Sequence, residues 1–247
     1  MNAVILAGDN QADLARINVA NKALLSICGR PMIEYVVDAL RCSSLVYGIS
    51  IVGPVEPLKD CLGGRVDYYF EDTGSFFENL EAAMQPFKTD KRVIIVSSDI
   101  PMITGEVVDD FVNRCINTDA DLCYPIVEKS LNESLFPGFK RTYVRLKEGT
   151  FTGGNIFYIN PAIFDRCREF AALLVEYRKT PWKTARILGL DLLTLLTLGR
   201  LSISKVEKRF FEILGIKAVA IISPFPQLAN DVDKPSDIEM VEKYLSK

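Results

Sequence analysis

Short apolar, β-branched runs alternate along this chain with stretches of helical spacing, and few folds accommodate that order. The runs Ala3–Ala7, Tyr47–Val52, Val66–Phe70 and Val93–Ser97 read as the first four strands. Parallel neighbours need long crossovers, usually helical, so the alternation predicts a mostly parallel α/β sheet with helices on its faces. Pro31 is expected at the first helical position of a helix reaching about Leu40, where its missing amide costs nothing. A second helix is expected after Ser75, because Ser75-Phe76-Phe77-Glu78 has capping-box spacing and Phe76, Leu80, Ala83, Met84 and Phe87 fall on one face. A third follows Thr104, with Val107, Val108, Phe111, Val112 and Cys115 as its apolar stripe.

Further along, strands are expected near Asp121–Val127, Thr142–Leu146 and Asn155–Ile159, joined by loops. From Pro161 to about Leu214 the pattern is helical, with Val206, Phe210 and Leu214 at helical spacing, before Ala218–Ile222 returns as a strand. One domain over residues 1–247 with a helical insertion at about 161–215 fits this order. Ile187–Leu198 is leucine-rich but about 12 residues long and holds Asp191, against the roughly 20 apolar residues of a membrane span. It reads as a buried helix; a homodimer contact or contact with a membrane surface or apolar tail is the other use open to it.

Composition narrows the function. With 49% apolar and 25% charged residues the chain can bury a core. A formal net charge of −3 argues against a nucleic-acid partner. Six cysteines without a CxxC pair, and an N-terminal apolar run too short for a signal peptide, predict reduced thiols in a cytoplasmic protein. There is no histidine, which removes Ser/His and Cys/His nucleophilic schemes and the commonest zinc ligand together. Chemistry is left to carboxylates, lysines, hydroxyls and backbone amides.

The first strand ends in Leu6-Ala7-Gly8, and a glycine at a strand end lets backbone amides approach a phosphate. It belongs to neither a P-loop nor a dinucleotide fingerprint. Downstream come Asn21-Lys22-Ala23-Leu24-Leu25, Gly29-Arg30-Pro31-Met32-Ile33-Glu34-Tyr35, Ser98-Asp99-Ile100-Pro101, and Asn230-Asp231-Val232-Asp233-Lys234-Pro235-Ser236-Asp237. Taken alone, Asp99 reads as a turn residue and Lys22 as a solvated surface lysine. In this order the segments resemble the sugar-phosphate and molybdenum-cofactor nucleotidyltransferase superfamily, the MobA-like NTP transferases.

That resemblance implies a three-layer α/β/α nucleotide-binding fold, GT-A-like and Rossmann-like, with a mixed, mostly parallel sheet. It implies transfer of a nucleotidyl group from a nucleoside triphosphate to a small, phosphorylated acceptor, with Mg2+ and release of pyrophosphate. Lys22 and Asp99 take the catalytic positions, and Asp99 with Asp231 the metal positions, Asp233 competing with Asp231. Leu6, Ala7, Gly8, Lys22, Gly74 and Ser75 fall where the nucleotide is held; Ser75 serves equally as a helix cap. Gly153, Gly154 and Asn155 would offer backbone amides to the acceptor, unless the glycines mark only a tight turn.

The chain departs from the family pattern after Gly8: Asp9, Gln11 and Asp13 stand where a glycine, a small residue and the loop arginine belong, and Arg16 is the nearest cation to offset them. Lys140, Arg141, Arg145, Arg178, Lys179 and Lys183 offer cations to an acceptor phosphate, with a solvated face as the commoner role of such residues. Two other classes share part of this pattern. A GT-A-type glycosyltransferase calls for an Asp-x-Asp motif after a middle strand, and Asp119-Ala120-Asp121 precedes its strand. A non-catalytic nucleotide-binding module would explain the acidic loop.

Overall fold

The structure, a computed structural model, describes residues 1–8, 21–177 and 186–246. The acidic segment with Asp9, Gln11, Asp13 and Arg16, and the cations Arg178, Lys179 and Lys183, lie outside the described residues. In chain order the elements are β1 (Asn2–Leu6), β2 (Ser26–Ile27), β3 (Arg30–Pro31), α1 (Met32–Cys42), β4 (Gly48–Gly53), α2 (Val55–Leu62), β5 (Tyr68–Glu71) and α3 (Phe76–Met84). They continue with β6 (Val93–Ser97), α4 (Gly105–Ile116), β7 (Leu122–Glu128), α5 (Lys129–Leu135), β8 (Val144–Leu146), β9 (Gly149–Gly153) and β10 (Ile156–Ile159). The last are α6 (Phe164–Tyr177), α7 (Leu190–Thr197), α8 (Ile203–Leu214), β11 (Ala218–Ile222) and α9 (Pro235–Leu245).

Strands β5, β4, β1 and β6 run parallel in that order. Strand β10 then enters antiparallel to β6 and joins the start of β7, whose end pairs antiparallel with β9. Strand β11 lies parallel along the other side of β7. The mixed, mostly parallel α/β sheet is therefore as expected. Along β1 and β6 successive side chains enter opposite layers, as strand geometry requires. Ala3, Ile5, Ile94 and Val96 pack with Val36, Leu40, Val108 and Phe111 of α1 and α4, whereas Val4, Val93 and Ile95 pack with Leu80, Ala83 and Met84 of α3.

The stripe expected on α4 is buried in full. Several local expectations are corrected. Pro31 sits one residue before its helix, in the two-stranded β2–β3 ribbon, and the Met32 amide is bonded to the Leu25 carbonyl at 2.8 Å. Ser75 is the N-cap of α3 by backbone but its hydroxyl makes no capping bond, so no capping box forms. Phe76 is 44% exposed, resting edge-on against Phe77 instead of facing the core. Helix α5 and strand β9 occupy a region expected to hold loops. The leucine-rich segment forms α7, yet only Leu192 of that helix is buried, and Leu190 is 67% exposed. No described helix is long and apolar enough to cross a membrane.

Phe111 is fully buried between α1 and the sheet, so Phe111→Ala leaves a cavity that close packing cannot fill. Urea unfolding should show a loss of about 3–5 kcal/mol. A loss under about 1 kcal/mol would contradict this placement of the core.

Candidate functional site

The parallel pairing brings three strand ends, those of β1, β4 and β6, to one end of the sheet. Leu6 is in register with both Val52 and Ser97. The Ala7 amide continues the ladder to the Val52 carbonyl at 2.8 Å, and the Ser98 amide returns to the Leu6 carbonyl at 3.1 Å. Gly8 follows directly. A Cβ on Gly8 would stand 2.9 Å from an Asp72 carboxylate oxygen, so only glycine lets the backbone pass so close. Asp72 also accepts from the Asn79 amide at 2.6 Å and the Gly74 backbone at 2.8 Å, and buried Asn79 accepts the Thr73 amide at 2.8 Å. Gly8, Gly74 and Ser75 are thereby brought to one corner. Neither Asp72 nor Asn79 belongs to a sequence motif, and nothing in their spacing announces a network formed by folding.

Asn21 pins the next part. Its side-chain amide donates to the Ala7 carbonyl at 3.1 Å and its oxygen accepts the Ala23 amide at 2.9 Å, holding the short helical turn Lys22–Leu24 against the end of β1. Lys22 is consequently only 7% exposed. Its ammonium donates to Asp99 Oδ2 at 2.5 Å and to Asp233 Oδ1 at 2.8 Å. Asp99 lies two residues beyond β6 and accepts from the Ser97 hydroxyl.

The turn before α9 is tied to the same place by a backbone bond from the Val232 amide to the Asp99 carbonyl at 2.9 Å. Asp237, buried at the start of α9, accepts the amides of Asp233 at 3.0 Å and Lys234 at 3.2 Å. That leaves the Asp231 and Asp233 carboxylates turned toward Asp99: oxygens of all three lie within 4.8 Å of one another. Geometry does not separate Asp231 from Asp233, since both stand within that distance of Asp99. Hard divalent cations take carboxylate oxygens, so the donor set fits magnesium or manganese.

Arg141 pairs with Asp231 and reaches the Gly153 carbonyl at 3.4 Å. With Lys140 and Lys234 it lines a cleft of about 190 Å³ beside Asp231 and Asp233. Arg145, by contrast, is exposed on β8. The glycines of Thr152-Gly153-Gly154-Asn155 are explained by close packing, since a Cβ on Gly153 would fall 1.7 Å from the Tyr124 hydroxyl. The Gly154 and Asn155 amides, expected to face an acceptor, are bonded to the Pro125 carbonyl at 2.9 Å and the Leu228 carbonyl at 2.8 Å. What Asn155 contributes here is its side chain, whose amide lies 3.5 Å from Asp231 Oδ1. Asp121 is engaged elsewhere, by the Asn160 amide at 3.3 Å and the Lys217 amide at 3.0 Å.

The carboxylates respond differently to this crowding. Burial and the charge of Asp99 push Asp231 up to about 6, against the pull of Arg141. Burial also acts upward on Asp233, but the charge of Lys22 and its hydrogen bond outweigh it and leave Asp233 below the usual range. For Lys22 burial acts downward, and the charges of Asp99 and Asp233 more than reverse it. A carboxyl whose folded pKa is raised contributes stability that is fully present below its unfolded value, near 4, and lost as pH rises through about 6. Asp231→Asn should escape that loss. In EDTA its stability relative to the wild type should improve by up to about 3 kcal/mol between pH 4 and pH 7.5. Urea midpoints across that range check it, and parallel profiles would refute it.

Comparison with known proteins bears on the family and the fold. Residues 3–178 match the family model described as MobA-like NTP transferase domain. A hypothetical transferase structure from Thermus thermophilus superposes with a TM-score of 0.84 at 39% identity, covering 96% of this chain and 98% of that one. A CMP:2-keto-3-deoxy-manno-octonic acid synthetase complexed with CTP shares the fold, with a TM-score of 0.63 at 15% identity over 99% and 97% of the two chains. The bifunctional protein GlmU of Geobacillus sp. (strain WCH70) is 30% identical over 102 residues, which are 40% of this chain and 22% of that protein. The match therefore spans about a fifth of those curated relatives. With the strand-end glycine, the buried lysine and the carboxylates in one place, the chain belongs to the MobA-like NTP transferase family.

Proposed function

We propose that this protein transfers a nucleotidyl group from a nucleoside triphosphate to a small anionic acceptor in a divalent-cation-dependent reaction. The observation that carries this reading is the meeting of Lys22, Asp99, Asp231 and Asp233 at the strand edge beside Gly8. That a structural neighbour is a synthetase complexed with CTP supports a nucleotide donor. Residues 161–215 are taken as an insertion within the same nucleotidyltransferase-like domain.

In such a reaction an acceptor oxygen attacks the α-phosphorus, the bond from the α-phosphorus to the bridging oxygen breaks, and pyrophosphate leaves with the electron pair. A phosphate monoester dianion arrives with no proton to remove. The absence of histidine therefore costs this chemistry nothing, and placement with charge neutralisation supplies most of the acceleration. Lys22 neutralises phosphate charge beside the strand end, Gly8 and the Gly74–Ser75 corner bound the nucleotide, and Arg141, Lys140 and the Asn155 side chain face the acceptor. A bound divalent cation, held by Asp99, Asp231 and Asp233, would supply further neutralisation of phosphate oxygens.

Thermal unfolding with ATP, GTP, CTP, UTP and dTTP, each with and without Mg2+, tests the reading. One nucleotide at about 100 times its Kd should stabilise the wild type by roughly 2.7 kcal/mol. That gain should depend on Mg2+ and vanish in Asp99→Ala. No Mg2+-dependent gain with any of the five would overturn the proposal.

A further inference from the structure

We infer that Lys22 is a movable counter-ion shared by the carboxylate cluster and the nucleotide, so that a divalent cation gains full access to Asp99 and Asp233 only when a triphosphate draws the ammonium away. This deepens the nucleotidyltransferase reading and rests on it.

The ammonium of Lys22 lies on Asp99 Oδ2 and Asp233 Oδ1, two oxygens the cation needs. Magnesium binds oxygen at about 2.0–2.1 Å. An ammonium and a divalent cation on the same two oxygens would repel each other at short range. Arg141 occupies the third carboxylate, Asp231, in the same way. Lys22 cannot simply retire into water, because its side chain is 9% exposed and its backbone is fixed by Asn21. A phosphate within reach of that fixed backbone would offer it another anion. The end of β1 provides for one: Asn21 bonds the Ala7 carbonyl at 3.1 Å, one residue before Gly8, so Lys22 stands beside the backbone where phosphate is read to bind. Transfer of the ammonium from carboxylate to phosphate keeps the lysine paired throughout and frees both oxygens together. Nucleotide and cation then bind cooperatively, beyond what the phosphate oxygens contribute as metal ligands.

The test is Mn2+ binding without nucleotide, read as the free-Mn2+ electron paramagnetic resonance signal and as the Mn2+-dependent rise in Tm. Lys22→Met and Lys22→Gln lack the competing charge and should bind Mn2+ at least about tenfold more tightly than the wild type, while Lys22→Arg should show no tightening. Saturating nucleotide should tighten Mn2+ strongly in the wild type and much less in Lys22→Met. A variant destabilised in EDTA still reports, because it should be rescued at lower Mn2+ than shifts the wild type. Mn2+ affinity in the Met and Gln variants equal to or weaker than the wild type's, or failure of any Mn2+ concentration to rescue them, overturns the inference. A wild type that binds Mn2+ and nucleotide while the variants show no tightening defeats the shared counter-ion alone. A wild type that binds no nucleotide with Mn2+ defeats the nucleotidyltransferase reading with it.

Discussion

Three carboxylates whose oxygens lie within 4.8 Å of one another repel, and this end of the molecule is built to hold them there. Lys22 and Arg141 are the balancing charges. An exposed pair of this kind would contribute about 0–1 kcal/mol. Lys22 is nearly excluded from water while the Asp233 side chain is half exposed, so removing the lysine carries a cost above that of an exposed pair, its own burial being the larger part of the difference. The supporting hydrogen bonds follow from that requirement. Asn21 aims the lysine, Asp237 shapes the Asp231–Asp233 turn, and the bond from the Val232 amide to the Asp99 carbonyl fixes how far apart the two acidic segments stand.

The sheet decides which chemistry meets which. Up to β6 the strands are parallel and their carboxyl ends open toward Gly8 and Asp99, the usual crevice of such folds. Strand β10 reverses direction beside β6, and Asn155, the residue before it, accepts the Ser97 amide at 3.1 Å on its backbone carbonyl while its side chain approaches Asp231. The change of strand direction thus lies beside Asp99. One half of the sheet supplies Gly8 and Asp99, and the other supplies Asn155 and, through the chain leading into β8, Arg141.

The parallel half was legible because each of its elements carries its own signal. Ala218–Ile222 and the stripe from Val107 to Cys115 appear where the sequence places them, since local pattern and tertiary burial agree there. Lys22, Asp99 and Asp231 were recognisable from the order of their motifs, and the structure brings them together with Asp233. Failures came where a long-range partner decides the outcome. Ser75 has the spacing of a capping box, but the corner is organised by Asp72 and Asn79 instead. Gly154 offers an amide by sequence, and the sheet consumes it. Arg141 is indistinguishable from its basic neighbours until the chain before β8 carries it to Asp231 and leaves Arg145 exposed. The leucines of α7 satisfy helical spacing without a surface to cover most of them.

The raised pKa of Asp231 shows what such a site costs. A carboxyl lifted to about 6 is ionised at neutral pH only against the preference of its surroundings, burial and the charge of Asp99 both opposing it. A polar but neutral side chain there would remove the conflict, and with it one oxygen of the set that a hard cation requires. Ionising Asp231 at neutral pH therefore works against stability. Beneath the strand ends Ile5, Ile51, Phe111 and Ile94 are fully buried in one core. Because that core is closely packed and the turn at Asp231–Asp233 is bonded to it through Asp99, the strain cannot relax by moving the carboxylates apart. Protonation of Asp231, or positive charge brought to the carboxylates, relieves it.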